Sequence, residues 1–336
     1  MKWLVRGVLA LVAVLAVLFL IFRTPDTDAA EMRAKYGTAP SQFVDLGEGL
    51  VIHLRDEGPK DAPAIMLLHG SNADLHTWEP WAEGLKQDYR VIRFDQVGHG
   101  LTGPDPQGDY TRANYVEHIR LVADELGLER FILGGNSMGG KHAVAFASAY
   151  TDRLDGLVLV DASGMPMLIP QSMEGDRENR GKRRGTTTGN IGFKIAGMPG
   201  INRIVEQITP RSLIEQSLRQ SVSVDSIVTD AMIDRYWELL RYPGNRRATL
   251  KRFSIPYDPL GRAKFAEIDV PTLIIWGEED RLIPVAAARY LDQVMQQTTL
   301  VIYPRIGHLP QEEAATQSLV DLRSWLEGLA PPAPVQ

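Results

Sequence analysis

The chain has 336 residues with 42 acidic and 36 basic side chains, and its formal net charge of −6 speaks against a general nucleic-acid binder, whose footprint is basic. With 44% hydrophobic and 23% charged residues it has the composition of a globular protein long enough to bury a large core. It contains no cysteine, which excludes disulfides, thiol catalysis and thiolate metal sites.

The chain opens MKWLVRGVLALVAVLAVLFLIFR. Lys2 and Arg6 precede an uncharged apolar run from Gly7 to Phe22. As a helix, Trp3 to Phe22 would measure about 30 Å, enough to span a bilayer with Arg6 snorkelling to the interface. The expectation is an uncleaved membrane anchor over residues 1–24. A cleavable signal peptide is the rival, since it shares the basic start and apolar middle. With the basic residues cytoplasmic, the rest of the chain would lie on the periplasmic side of a bacterial-type inner membrane, or be secreted after cleavage. Residues 25–40 then read as a polar tether.

Beyond the tether the pattern turns β-rich. SQFVDL and LVIHLR flank Gly47-Glu48-Gly49, a hairpin signal. Short apolar runs follow: AIMLL from Ala64, RVIRF from Arg90, FILG from Phe131, LVLV from Leu157, TLIIW from Thr272 and TLVIY from Thr299. Each is too short for a helix and apolar throughout, as strands buried on both faces are. Helical patterns separate most of them, such as TRANYVEHIRLVADELG, with Val116, Ile119, Val122 and Leu126 on one face. The alternation predicts a mostly parallel eight-stranded sheet covered by helices on both sides.

A long gap between Asp161 and Val270 breaks the rhythm. A structureless loop of that length is improbable inside a compact domain, and helix-like stretches lie around Ile201–Leu218 and Ile227–Leu240. We read residues 167–262 as a helical cap on a core formed by 41–166 and 263–330, with a disordered Pro-rich tail at 331–336. A basic cluster in the cap (Arg177, Arg180, Lys182, Arg183, Arg184) reads as a solvated face. Its sharper reading is attraction to anionic lipid or acidic substrates.

The segment FILGGNSMGGKHAV places Ser137 between glycine pairs where a buried strand gives way to a helix. In so sharp a turn the hydroxyl stands above the carboxyl ends of the strands, and Gly135 and Gly139 supply the small residues that crowding demands. The Met138 N–H at the start of the new helix points at the same spot and can stabilise an oxyanion. Serine needs a base. Of seven histidines, His308 alone lies just past a late strand, in VIYPRIGHLPQEE. His69 and His99 sit in glycine turns and hold loop shape, His142 falls inside the helix, and His53, His76 and His118 lack strand-end context. The base needs a carboxylate to fix its tautomer. Asp280 in TLIIWGEEDRLIP is the first choice, Asp161 after LVLV the rival, with Glu278 and Glu279 behind.

These residues carry a resemblance. From Ser41 to Leu329 the chain resembles the α/β-hydrolase fold superfamily, through HGSN, DQVGHG, GNSMGG, WGEED and GH at successive strand ends and the order Ser137, Asp280, His308. The resemblance implies a second oxyanion N–H from Ser71, with Asn72 beside it, and places Asn136 and Asn72 near the substrate. The elbow GNSMGG is similar to that of meta-cleavage-product hydrolases, which cut carbon–carbon bonds. Those enzymes carry a glycine-rich oxyanion loop and a tryptophan after the histidine, where this chain has HGSNADLHTW and Leu309. Ser137 speaks against haloalkane dehalogenases and epoxide hydrolases, which use an aspartate. The expected function is hydrolysis of small-molecule or lipid carboxylic esters, as in bacterial esterases and lipases. The alternatives are a C–C hydrolase, a serine perhydrolase, or a non-catalytic binding protein of the same fold. No cofactor is expected, and no histidine pair has metal-ligand spacing on one helix.

Overall fold

Leucine- and β-branched-rich runs bounded by turns form eight strands in the computed structural model, which describes residues 2–166, 206–256 and 258–329. They are β1 (Ser41–Asp45), β2 (Val51–Glu57), β3 (Ala64–Leu68), β4 (Arg90–Phe94), β5 (Phe131–Asn136), β6 (Leu154–Val160), β7 (Thr272–Gly277) and β8 (Thr298–Tyr303). They join one sheet in the order β1-β2-β4-β3-β5-β6-β7-β8. β1 and β2 are antiparallel to their neighbours, and β4 to β8 pair in parallel. The strands and sheet class read from the sequence are therefore those of the structure.

Side-chain alternation sorts the apolar runs between two layers. Met66, Leu68, Leu133, Leu159 and Ile274 pack on one face with Ile119 and Val122 of α4 (Arg112–Glu125) and Val144 of α5 (Met138–Ala149). Ile65, Leu67, Ile132, Val158 and Ile275 pack on the other with Trp81 and Leu85 of α3 (Glu79–Leu85) and Leu322 and Leu326 of α12 (Ala315–Glu327). Parallel pairing brings the carboxyl ends of β3, β5, β6, β7 and β8 to one edge, where sites of such sheets form.

Between β6 and β7 the described chain is helical: α6 (Arg211–Ser221), α7 (Asp230–Leu240), α8 (Asn245–Ser254) and α9 (Arg262–Ala266). α7 lies within the expected stretch 227–240 and α6 overlaps the later part of 201–218, whose first five residues lie outside the described ones. Leu218, Val222, Met232, Ile233 and Tyr236 cluster there against Ala73 and Leu309 of the core. The third helix, α8, has no clear apolar stripe and was not expected. The basic cluster at 177–184 and the tail at 331–336 lie outside the described residues. α10 (Ala286–Val294) and the short α11 (Pro310–Glu313) complete the chain order.

The N-terminal expectation needs correction. The apolar run does form a helix, α1 (Lys2–Phe22), yet among the described residues no helix is long and apolar enough to cross a membrane. Its uncharged part, Gly7 to Phe22, measures about 24 Å at the helical rise, short of the roughly 30 Å hydrocarbon core. The span reached 30 Å only with Arg6 snorkelling, and the Arg6 guanidinium instead lies over the Trp3 ring at 5.6 Å. The transmembrane anchor, and the inner-membrane or secreted placement built on it, are set aside. Residues 25–40, expected as a tether, contain α2 (Ala29–Tyr36) with Met32 2% exposed. Arg246 Nη2 holds Asp26 at 2.6 Å, and Tyr36 Oη donates to Glu238 Oε2 at 2.6 Å, so this segment is a strap on α7 and α8.

Candidate active site

Ser137 stands between β5 and α5 with φ 53° and ψ −114°, a conformation that costs a non-glycine residue about 1–3 kcal/mol and persists only when over-determined. Its surroundings over-determine it. Ser137 N–H donates to Val160 O at 3.0 Å, and Ser137 O accepts from Ser163 N at 2.9 Å and Lys141 N at 3.1 Å. A Cβ on Gly135 would come within 2.3 Å of the Gly139 carbonyl carbon, and one on Gly139 within 2.1 Å of Leu68 O. The GxSxG spacing thus answers a packing requirement: strand, turn and helix approach too closely for any side chain but the serine's.

His308 follows β8, and its Nδ1 donates to Asp280 Oδ2 at 2.7 Å. With the proton fixed on Nδ1, Nε2 keeps a lone pair, the form a general base requires. Asp280 Oδ1 accepts from the N–H groups of Leu282 at 2.7 Å and Ile283 at 3.0 Å. Burial pushes the Asp280 carboxyl up, but the charge and hydrogen bond of His308, with Asp161 and the Ile283 N–H, hold it below its ordinary range. Asp161 is fully buried beside this pair and makes no hydrogen bond to the imidazole; the geometry gives the histidine to Asp280. No hydrogen bond joins the Ser137 hydroxyl to the His308 ring among the described residues. Backbone links them instead: Asn136 Nδ2 donates to both Val160 O at 3.2 Å and His308 O at 3.1 Å. Asn136, expected near substrate, thereby ties the elbow to the histidine loop.

Ser71 and Asn72 follow β3, and Asn72 has φ 61°, with its Oδ1 accepting from Thr249 Oγ1 of α8 at 3.5 Å. Arg252 of α8 reaches both expected oxyanion residues: Nη2 donates to Ser71 Oγ at 2.8 Å and Nη1 to Met138 Sδ at 2.9 Å. Burial lowers its affinity for its proton, and tyrosines 115 and 110 oppose that effect. A guanidinium stays charged regardless. Among the described residues no carboxylate pairs with it. Arg252 was not foreseen, because one arginine among several in NRRATLKR carries no spacing signal.

Glu313 was likewise invisible. Its carboxylate accepts from the N–H groups of Gly307 at 3.0 Å and Leu309 at 3.1 Å, either side of His308, and from Ser223 at 2.7 Å and Val224 at 3.0 Å past α6. The remaining histidines hold structure: His69 Nδ1 donates to Gly70 O at 2.7 Å, and His142 Nδ1 to Gln96 Oε1 at 2.7 Å. Burial keeps both, and His99, in the neutral form. Asp161, Asp280 and His308 do gather donor atoms within 4.8 Å of one another. They come from the ends of three neighbouring strands, β6, β7 and β8.

A family model described as alpha/beta hydrolase fold matches residues 63–315. The chain belongs to the α/β-hydrolase family. Among its relatives within that family, the 2-hydroxy-6-oxononadienedioate/2-hydroxy-6-oxononatrienedioate hydrolase of Comamonas testosteroni is 28% identical over 292 residues, covering 82% of this chain and 92% of that protein. A meta-cleavage product hydrolase from Pseudomonas fluorescens superposes with a TM-score of 0.71 at 23% identity, over 86% of this chain and 98% of that one. A thermophilic esterase from Thermogutta terrifontis superposes with a TM-score of 0.67 at 25% identity, over 86% and 100% of the two chains. The protein is a hydrolase of the α/β fold.

Proposed function

We propose that the chain hydrolyses a carbon–carbon bond beside a ketone in an anionic dienoic keto acid, with Ser137 as nucleophile, His308 as base and Asp280 as its partner. This replaces ester hydrolysis, the first expectation from sequence. The observation that carries it is Arg252, a charged group with no carboxylate partner among the described residues, seated on both Ser71 and Met138. A site with such a cation suits a substrate that brings the anion, and the relatives named above act on dienedioates and meta-cleavage products.

Ser137 Oγ attacks the ketone carbon as His308 Nε2 takes its proton, and the oxyanion falls to the N–H groups of Met138 and Ser71. The C–C bond breaks only if the departing electron pair delocalises into the conjugated keto acid, whose negative charge Arg252 offsets. The departing carbon is protonated, and water then hydrolyses the acyl-enzyme. The net reaction adds hydroxide to the acyl carbon and a proton to the leaving carbon.

Ester hydrolysis is the second reading. Leu309 stands where a tryptophan follows the histidine in C–C hydrolases. It is buried with Val222, Met232 and Tyr236 in an apolar cluster next to His308. The test compares kcat/KM for a 2-hydroxy-6-oxo-dienoic acid with that for p-nitrophenyl esters of rising chain length. Ser137→Ala should abolish both, by on the order of 10⁴-fold or more. Arg252→Gln should cost roughly 10- to 100-fold in kcat/KM for the keto acid, the worth of a charged hydrogen bond, and little for neutral esters. Faster ester turnover that is indifferent to Arg252 would sink the first reading in favour of the second.

A further inference from the structure

The carboxyl of Asp161 has no part in the chemistry described so far. It lies just past the end of β6 with φ 42°, a positive backbone angle uncommon for a residue with a side chain. Asp161 is 0% exposed, Asp280 7% and His308 4%. Asp280 is well served as an anion: two backbone N–H groups meet Oδ1, and the imidazole meets Oδ2. Asp161 receives a single N–H, from Gly277 to Oδ1 at 3.2 Å, while its Oδ2 is buried with no donor in reach.

Two buried carboxylates at this distance cannot both be ionised in so dry a place. The charges bearing most on Asp161 are those of Asp280 and Glu313, both negative, and the remaining titratable group in the cluster is His308. A proton on the Asp161 carboxyl supplies a donor to Asp280, whose carboxyl lies within hydrogen-bonding reach.

We propose that Asp161 holds a proton and donates it in a hydrogen bond to Asp280, so that the two carboxyls carry one negative charge between them opposite His308. Asp161 is then a positioning residue: it acts on the base only through Asp280. Burial first, and then the charge of Asp280, hold its carboxyl well above the ordinary range, in agreement with that geometry. The consequence for the base has a definite sign. The Asp161 hydroxyl draws charge away from Asp280 and so weakens its hold on the imidazolium. Without that donor the full charge of Asp280 stands opposite the imidazole, and the acid limb of activity lies at higher pH. The proposal rests on the reading of Ser137, His308 and Asp280 as the catalytic set.

The first measurement does not depend on turnover. In a Glu312→Gln background, which removes another buried carboxyl, infrared spectra at pH 7 should show the carbonyl stretch of a protonated carboxyl, and Asp161→Asn should remove it. Absence of the band overturns the proposal. The second follows kcat/KM for p-nitrophenyl acetate against pH. Asp161→Ala should move the acid limb up by roughly one pH unit, the lower end of what a neighbouring charge does. Asp161→Asn, whose amide still donates to Asp280, should leave the limb in place. A merely structural aspartate would lower the rate in both variants and move the limb in neither, and that outcome also overturns the proposal. If Ser137→Ala leaves turnover untouched, the catalytic reading fails on its own while the infrared result still decides the state of Asp161.

Discussion

Gly135 shows how little room the turn at Ser137 leaves. Its added Cβ would meet the backbone of Gly139 at 2.3 Å, and backbone cannot move aside as a flexible side chain would. Gly135→Ala should therefore cost about 3 kcal/mol or more, the upper range for overpacking. The check is the urea midpoint, and a loss under 1 kcal/mol would mean that the turn can relax. Glu312 offers a residue-scale prediction of a different kind. Burial lifts its carboxyl from 4.5 to about 7, against the opposing pull of Arg235 and the Thr77 hydroxyl. The folded chain thus keeps a proton that the unfolded chain has released across that window. The stability it contributes is full below about pH 4.5 and is lost as pH rises through about 7. Glu312→Gln should flatten this fall, with its largest gain in thermal midpoint at pH 8 and almost none at pH 4. Equal slopes in the two proteins would clear Glu312 of the effect.

The loop bearing His308 is held as an element would be, although it is not one. Glu313 collects four backbone N–H groups, two from that loop and two from the chain after α6. A Cβ on Gly307 would lie 2.8 Å from both Ser221 O and Ser223 N, so loop and cap meet backbone to backbone. Glu313→Ala leaves several buried donors without an acceptor, at about 1–3 kcal/mol each. Turnover should fall roughly 10-fold through a misplaced base, with KM little changed. A rise in KM at constant kcat would show that Glu313 serves substrate binding instead. None of this was legible in VIYPRIGHLPQEE, because a glutamate that caps backbone looks, in sequence, like any surface glutamate. The strands fared better: AIMLL and LVLV are apolar on both faces, so burial and period pointed to one answer. α8 escaped because its sequence NRRATLKRFS is dominated by arginines and lysine, and a helix of that kind is specified by what it docks on.

At the scale of the whole molecule, cap and core share their buttresses. Arg235 of α7 holds Asp74 of the core at 3.1 Å, and the strap before β1 bonds to α7 and α8. Urea unfolding followed by tryptophan fluorescence and by far-ultraviolet circular dichroism should give coincident transitions; an early cap transition would show that these links are weak. The fold class was legible because motifs at strand ends carry their own context, and Asp280 and His308, picked from two such motifs, lie in hydrogen-bond contact. The N-terminal helix was legible as a helix but misread as an anchor, since hydropathy alone does not say where a span stops short. The proposed C–C cleavage was not legible, for the reading leans on the contacts of Arg252 with Ser71 and Met138, which tertiary packing sets. The His308 amide donates to Ser221 O at 2.9 Å, at the last residue of α6. A lid that swings away to admit a guest must therefore break this tie or carry the imidazole with it. Opening would disarm the enzyme, and reactivity would return only once the visitor is enclosed.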